Sequence, residues 1–134
     1  MKYAFLFLSL FLQHGIYAQQ QTSSAKNSKA ERMQIAMAME NSLRKELLAQ
    51  WYPQSLDTVY GGFISSYTYD FKPAPNQDKM IVTQARHTWV NAKAAELYPS
   101  VTYYTTGAKH GFLFLKDVMW DKIYGGFYTL VDQK

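Results

Sequence analysis

Two of the three histidines, two repeated aspartates and one arginine have the chemistry to act on a substrate. The imidazoles of His87 and His110 suit acid–base work because they titrate near neutral pH. Neither histidine has a second metal ligand three or four residues away, so no metal site is predicted. A carboxylate pair such as Asp57 and Asp121 suits glycoside hydrolysis, but both recur within a repeated turn and are better explained as turn formers. Arg86 is unusual because it lies inside an otherwise apolar stretch.

The first element that must position these residues is a helix predicted after a capping box formed by Ser28 and Glu31. Apolar residues recur every four positions from Ile35 to Trp51. Pro53 ends this helix because it disfavours helical geometry in the residue before it. In the connection that follows, larger and smaller side chains alternate over residues 63–71, which predicts a short strand.

Two further helices are predicted to carry the candidate site residues. The second runs from Lys79 to Tyr98, capped by Asp78 and ended by a proline. The third runs from about Tyr103 to Trp120. In this third helix Gly107 and Gly111 lie four residues apart on one face and permit a close backbone approach, although each costs about 1 kcal/mol of helix propensity.

An internal repeat is the most informative feature of the sequence. The pattern D-x-x-Y-G-G-F at residues 57–63 returns 64 residues later at residues 121–127, each time after a helix that ends near a tryptophan. One period is expected to be a helix, a Tyr-Gly-Gly-Phe turn and a returning helix, and at least three such units are normally needed to bury their apolar faces. Because the second copy stops just after its turn, we expect an interrupted repeat protein. A genuine three-helix miniprotein is the alternative.

The amino terminus is typical of a secretory signal peptide over residues 1–18. Lys2 precedes an apolar run from Ala4 to Leu12, and Ala18 is a small residue suited to cleavage. The run is too short to span a bilayer, which needs about 20 residues. We therefore expect export, to a periplasm or beyond, with a flexible polar lead-in over residues 19–29 and no membrane attachment after cleavage. The absence of cysteine excludes disulfides and thiolate metal sites.

Composition predicts a packed domain that does not bind nucleic acid. Apolar residues make up 48% of the 134 residues and charged residues 18%, which is unlike a disordered tail. The net charge of +4 is carried by basic residues that are scattered singly, whereas phosphate contacts need clusters of them. The aromatic share of 16% is high, and aromatic rings both fill cores and stack on sugar faces.

Three stretches of the sequence resemble the N-acylglucosamine 2-epimerase family, and within it the cellobiose or mannobiose 2-epimerase branch. They are WYPQSLDTVYGGF, QDKMIVTQARHTWVNAKAAELYP and AKHGFLFLKDVMWDKIYGGFYTLVD, and the resemblance covers roughly residues 43–132. It implies an all-α (α/α)6 barrel of six helical hairpins. Residues 30–134 would form its amino-terminal part, with short β-hairpin segments at the Tyr-Gly-Gly-Phe turns.

The resemblance also implies a reaction, the epimerisation of a reducing mono- or disaccharide at carbon 2 without a cofactor. A base removes the proton beside the open-chain aldehyde, and the enediolate is re-protonated on the opposite face. The family's catalytic histidines belong to later hairpins, so the chain alone is expected to be inactive. Arg86 matches an active-site arginine that contacts the sugar near the reacting carbons. In the family, aromatic residues of the corresponding turn face the site, so Tyr128 is expected to face it as well. Trp89 lies three residues after Arg86 on the same helical face, where it is a candidate stacking wall for the sugar or, alternatively, a buried core residue.

Two other functions are compatible with these residues. A carbohydrate-binding helical-repeat protein would keep the fold but not the reaction, and a six-hairpin glycosidase would use two carboxylates in place of histidines. His87 follows Arg86 directly and is expected to point about 100° away from it on a helix. His110 is expected to serve packing or to lie at the surface. The sequence carries no prediction of an oligomeric state.

Overall fold

The computed structural model of the protein describes residues 28–133. The signal peptide predicted for residues 1–18 lies outside the described residues, and so does the lead-in predicted for residues 19–29 up to residue 27. The described chain divides between Glu40 and Asn41 into two units. The sheet, the repeated turns and the candidate site all belong to the second of these units.

Helices make up most of the described chain, which also contains one small antiparallel sheet. The elements in chain order are α1 (Lys29–Ser42), a π-helical segment (Leu43–Leu48), α2 (Ala49–Trp51), β1 (Lys79–Met80), α3 (Ile81–Leu97), α4 (Thr102–Phe114), a second π-helical segment (Leu115–Met119) and β2 (Leu130–Val131). Strands β1 and β2 pair with Lys79 opposite Val131 and Met80 opposite Leu130. None of the helices within residues 28–133 has the length and apolar character to cross a membrane.

The boundaries predicted for the first helix are confirmed. Ser28 and Glu31 exchange the two hydrogen bonds of a capping box, with donor–acceptor distances of 2.6 and 3.2 Å, and α1 begins at Lys29. Tyr52 has an extended backbone, with φ −125° and ψ 137°, as expected of the residue before Pro53. The local signals at both ends therefore act as the sequence predicts.

The prediction that Asp78 caps a helix beginning at Lys79 is wrong. Pairing with β2 keeps Lys79 and Met80 extended, so α3 begins only at Ile81, and no side chain caps it. The Ile81 N–H donates to the carbonyl of Thr129 at 3.0 Å. The start of this helix is thus decided by a segment about fifty residues further along the chain.

The short strand predicted over residues 63–71 is also wrong, because the chain folds back on itself there. The Thr68 N–H donates to the Lys72 carbonyl at 2.7 Å, and the Phe71 N–H donates to the Thr68 carbonyl at 3.0 Å. Phe71 lies in the left-handed region with φ 59°. Only isolated bridges form near this stretch in the described chain, and they join Leu56 to Phe63 and Tyr67 to Pro73.

The core is a small, largely aromatic cluster over which α3 and α4 pack. Its buried members are Leu48, Tyr52, Phe63, Ala94 and Tyr104. A methyl group added at Gly107 would overlap the Asn91 side chain, and one added at Gly111 would overlap the Thr88 hydroxyl and the Phe63 ring. The close helix approach predicted from these two glycines is confirmed.

Both copies of the repeat fold into the same hydrogen-bonded turn. In each, the aspartate N–H donates to the carbonyl of the second glycine at 2.9 Å. One carboxylate oxygen of Asp57 or Asp121 accepts from the N–H groups two and three residues on, at 2.8–3.0 Å. The four glycines have φ between 66° and 84°, where side chains are disfavoured. Isolated bridges, Leu56 with Phe63 and Trp120 with Phe127, close the turns in the manner of short hairpins.

Candidate functional site

The candidate residues Arg86, His87 and Trp89 lie on α3, whose opposite face is buried. That buried face consists of Gln84, Asn91 and Ala94. Arg86 and Trp89 are exposed, while His87 is partly buried between the two faces. The helix therefore presents a charged group and a large aromatic ring outward from a fixed inner surface.

Buried polar bonds hold the start of α3 against the first turn. Lys79 Nζ donates to Asp57 Oδ2 at 2.6 Å and to the Phe63 carbonyl at 2.9 Å. The side-chain amide of Gln84 accepts from the Phe63 N–H at 2.7 Å and donates to the Phe63 carbonyl at 3.0 Å. Lys79 is 1% exposed and Asp57 5%. The helix that carries Arg86 is thus fixed by interactions that position it without touching the exposed face.

The electrostatics of Asp57 follow from this burial. Desolvation raises the pKa of the carboxyl, but the hydrogen bond from Lys79 and the N–H groups of the turn outweigh it and hold the pKa below its ordinary value. The sequence does not identify Lys79 or Gln84 as important. Their only local signal is a polar side chain beside an apolar stretch, which is common at helix starts.

Arg86 lies at the edge of an apolar cleft of about 590 Å³. The cleft runs between the first helical region and α3, and its lining consists of Leu43, Leu47, Leu48, Trp51, Tyr52, Thr83, Arg86, His87 and Val90. Within the described part of the chain, no carboxylate or hydrogen-bond acceptor pairs with the guanidinium of Arg86. Its charge is therefore available to an anionic or strongly polar group from outside these residues.

His87 lines the same cleft as Arg86, so the two neighbours reach one cavity even though their side chains leave the helix in different directions. The Tyr52 hydroxyl lies 2.7 Å from His87 Nδ1. The imidazole stacks on the Phe63 ring with centroids 4.9 Å apart, and the Trp51 ring lies 5.8 Å away. Burial lowers the pKa of His87. Burial therefore favours the neutral imidazole, which shares one hydrogen bond with the Tyr52 hydroxyl.

The other predicted site residues lie apart from this cleft. Trp89 is 64% exposed and does not line it. Tyr128 follows the second turn, where its N–H donates to the Met119 carbonyl at 2.9 Å. The N–H groups of Tyr124 and Ile123, and to a lesser extent the side chain of Tyr128, lower the pKa of Asp121. Within residues 28–133, no hydrogen bond or ring contact joins Arg86, Trp89 or Tyr128 to one another.

His110 and the two repeated aspartates have structural roles. His110 Nε2–H donates to the Gly62 carbonyl at 2.8 Å and so ties α4 to the first turn, which agrees with its expected packing role. Asp57 and Asp121 bind the backbone of their own turns. In the described range, no cluster of three His, Asp or Glu side chains is arranged to hold a metal ion.

Neither protein-family profiles nor curated protein sequences match the chain. Solved structures do. The cellobiose 2-epimerase from Spirochaeta thermophila DSM 6192 is 27% identical over 81% of this chain, with a TM-score of 0.72. The cellobiose 2-epimerase from Bacillus thermoamylovorans B4167 is 25% identical over 75%, with a TM-score of 0.67. A D-mannose isomerase is 25% identical over 83%, with a TM-score of 0.63.

The chain is therefore similar in fold and sequence to sugar epimerases and a sugar isomerase. It spans only 26% of the length of each of these three proteins. The resemblance to cellobiose 2-epimerases inferred from the sequence is confirmed at this level.

Proposed function

We propose that the chain is the amino-terminal part of a sugar 2-epimerase that acts on the reducing end of a mono- or disaccharide. The observation that carries the proposal is the similarity to two cellobiose 2-epimerases, at 25% and 27% identity with TM-scores of 0.67 and 0.72. In this proposal residues 30–134 belong to an (α/α)6 barrel whose remaining hairpins complete the site.

Arg86 is the proposed substrate-orienting residue. Its exposed guanidinium has no partner among the described residues, and α3 is fixed from its buried side by Lys79 and Gln84. A positioned guanidinium would hold the carbonyl oxygen of the open-chain sugar and stabilise the negative charge of the enediolate. Trp89 would supply a stacking wall for the sugar ring, and Tyr128 a second polar aromatic contact.

Both histidines within residues 28–133 are engaged in internal contacts, so we propose that neither carries out the proton transfers. His110 is tied to a backbone carbonyl, and His87 is stacked on Phe63 with its Nδ1 hydrogen-bonded to Tyr52. We therefore propose that the 134-residue chain is inactive alone and that no cofactor takes part. Export with a signal peptide over residues 1–18 is also part of the proposal, and amino-terminal sequencing of the secreted product should then begin at Gln19.

An assay of a longer product of the same gene tests the proposal. That protein should interconvert cellobiose or mannobiose with its 2-epimer, and Arg86→Ala should lower kcat/KM at least a hundredfold. Arg86→Lys should also be impaired, because an ammonium cannot reproduce the planar fork. Lys109→Ala, on an exposed position of α4, is the matched control and should retain activity. Turnover that survives Arg86→Ala would contradict the role of Arg86, and hydrolysis of the disaccharide would indicate the glycosidase.

A non-catalytic carbohydrate-binding role is the second candidate, favoured by the apolar and aromatic cleft that the Arg86 guanidinium borders. It predicts that the longer protein binds the disaccharide without changing it. Calorimetric titration with the sugar, followed by chromatography of the recovered ligand, separates this role from epimerisation.

A further inference from the structure

The second Tyr-Gly-Gly-Phe turn has the conformation of the first but lacks its cover. Phe63 is 0% exposed, whereas Phe127 is 50% exposed. A methyl group added at Gly62 would press on the Gln84 side-chain oxygen and the Phe114 ring, whereas one added at Gly126 would meet nothing within 4 Å. The same backbone is thus buried in one copy and open in the other.

The cover of the first turn shows what the second turn is shaped to receive. Lys79 and Gln84, five residues apart at the β1–α3 junction, bind the Asp57 carboxylate and both backbone groups of Phe63. In the second turn the corresponding Phe127 N–H and carbonyl have no hydrogen-bond partner among the described residues. Within the described residues no Lys or Arg forms an ion pair with Asp121, whose carboxylate accepts hydrogen bonds from the N–H groups of its own turn.

We propose that the second turn, residues 121–127, is a docking surface for the strand–helix junction of a further repeat unit. The occupant presents a lysine and, five residues later, a glutamine at the start of a helix. The lysine bonds Asp121 and the Phe127 carbonyl, and the glutamine amide pairs with the Phe127 N–H and carbonyl. The charge complementarity is that of Lys79 and Asp57. The inference rests on the proposed function in that the occupant is one of the further hairpins of the proposed barrel, whereas the contacts assigned to it come from the repeat.

A second copy of this chain is not the proposed occupant. Its own Lys79 and Gln84 are already buried on its own first turn, and releasing them would leave Asp57 as an unpaired buried carboxylate. A separate unit that presents its own lysine and glutamine would bind the second turn without leaving Asp57 unpaired.

The test is an NMR titration of the isotope-labelled full chain with an unlabelled synthetic peptide of residues 74–93, the segment that covers the first turn. We expect saturable shifts of the Tyr124 and Phe127 amides at up to low-millimolar peptide, with the Tyr60 and Phe63 amides unmoved. A peptide with the lysine replaced by methionine and the glutamine by leucine should bind about tenfold more weakly. The first turn serves as an internal control for folding.

Variants of the protein test the same contact from the other side. Asp121→Asn keeps an oxygen for the turn N–H groups but removes the charge, and should weaken binding of the unmodified peptide about tenfold. Asp117→Asn, at an exposed ion pair with Lys116, should leave it unchanged. The proposal is overturned if both peptides bind with equal affinity. It is also overturned if the amides of both turns shift equally, or if the Phe127 amide does not shift. A Phe127 amide that moves on dilution of the chain alone would identify a second copy as the occupant and overturn it too.

Discussion

At the scale of single residues, the interaction that most constrains the site is the ion pair between Lys79 and Asp57. Both side chains are buried, so their loss of hydration must be offset by direct contacts. Further hydrogen bonds compensate both groups for the lost water: Lys79 also donates to the Phe63 carbonyl, and Asp57 also accepts from the N–H groups of Val59 and Tyr60. Removing one partner would leave the other charge buried and unpaired.

Lys79→Met should therefore lower the free energy of unfolding by about 3 kcal/mol. The double variant Lys79→Met with Asp57→Asn should lose less of its free energy of unfolding, because no buried charge is then left unpaired. Lys116→Met, which removes an exposed ion pair with Asp117, is the matched control and should cost under about 1 kcal/mol. Urea denaturation measures the free energy of unfolding of all three variants. If Lys79→Met and Lys116→Met lower it equally, the buried ion pair is no more important than the exposed one.

The buried imidazole of His87 predicts a pH dependence of stability. Burial holds its pKa below the ordinary value of about 6.5, so the unfolded chain binds a proton that the folded chain does not. Above the unfolded pKa of about 6.5, the neutral His87 costs the folded state nothing. As the pH falls from there towards the lower folded pKa, protonation of the unfolded chain progressively lowers the free energy of unfolding. Part of the decrease in unfolding free energy between about pH 7.5 and about pH 5 should disappear in His87→Phe. An identical pH profile in the variant would show that His87 is not responsible.

At the scale of elements, the two turns are a natural matched pair. They share hydrogen bonds and positive φ values, but only the first is enclosed by α3 and α4. Local sequence therefore suffices to form the turn, and packing against the following hairpin decides how much stability the turn contributes.

Alanine substitutions separate these two contributions. Gly126→Ala should cost only the strain of a side chain at positive φ, about 1–2 kcal/mol. Gly62→Ala carries the same strain and also overlaps Gln84 and Phe114, so it should cost at least about 1 kcal/mol more. Thermal unfolding of the two variants measures the difference. Equal losses would mean that the enclosure of the first turn does not constrain it.

At the scale of the whole molecule, the described chain leaves many large apolar side chains exposed beside a small core. Trp89, Tyr124, Phe127 and Leu130 are each between 50% and 89% exposed. In repeat proteins the stability is approximately the sum of the units and of the interfaces between neighbours. A further unit on the second turn should therefore stabilise this chain.

Appending a second copy of residues 71–120 after Lys134 tests this directly. The 64-residue period then brings a second lysine and a second glutamine into register with the second turn. The extended protein should unfold at higher urea than a control in which those two appended residues are methionine and leucine, with a difference of about 2 kcal/mol. Identical stability of the two extended proteins would contradict a docking role for the second turn.

Much of the local structure could be predicted from the sequence because its signals act within a few residues. The capping box of Ser28 and Glu31, the helix end before Pro53 and the repeated aspartate turns each depend on neighbouring backbone groups. The glycines of α4 predicted a close approach because their spacing places them on one helical face.

What only the tertiary structure decided concerns residues that are far apart in the chain. The pairing of Lys79 with Val131 delays the start of α3, the Lys79–Asp57 ion pair fixes that helix, and packing brings His87 and Arg86 to one cleft. By itself the sequence determined the turns, most helix ends and the resemblance to sugar epimerases. It did not determine these contacts, because a lysine or histidine has the same local pattern whether it is solvated or buried. Only the packing of distant elements removes its water and supplies its partner.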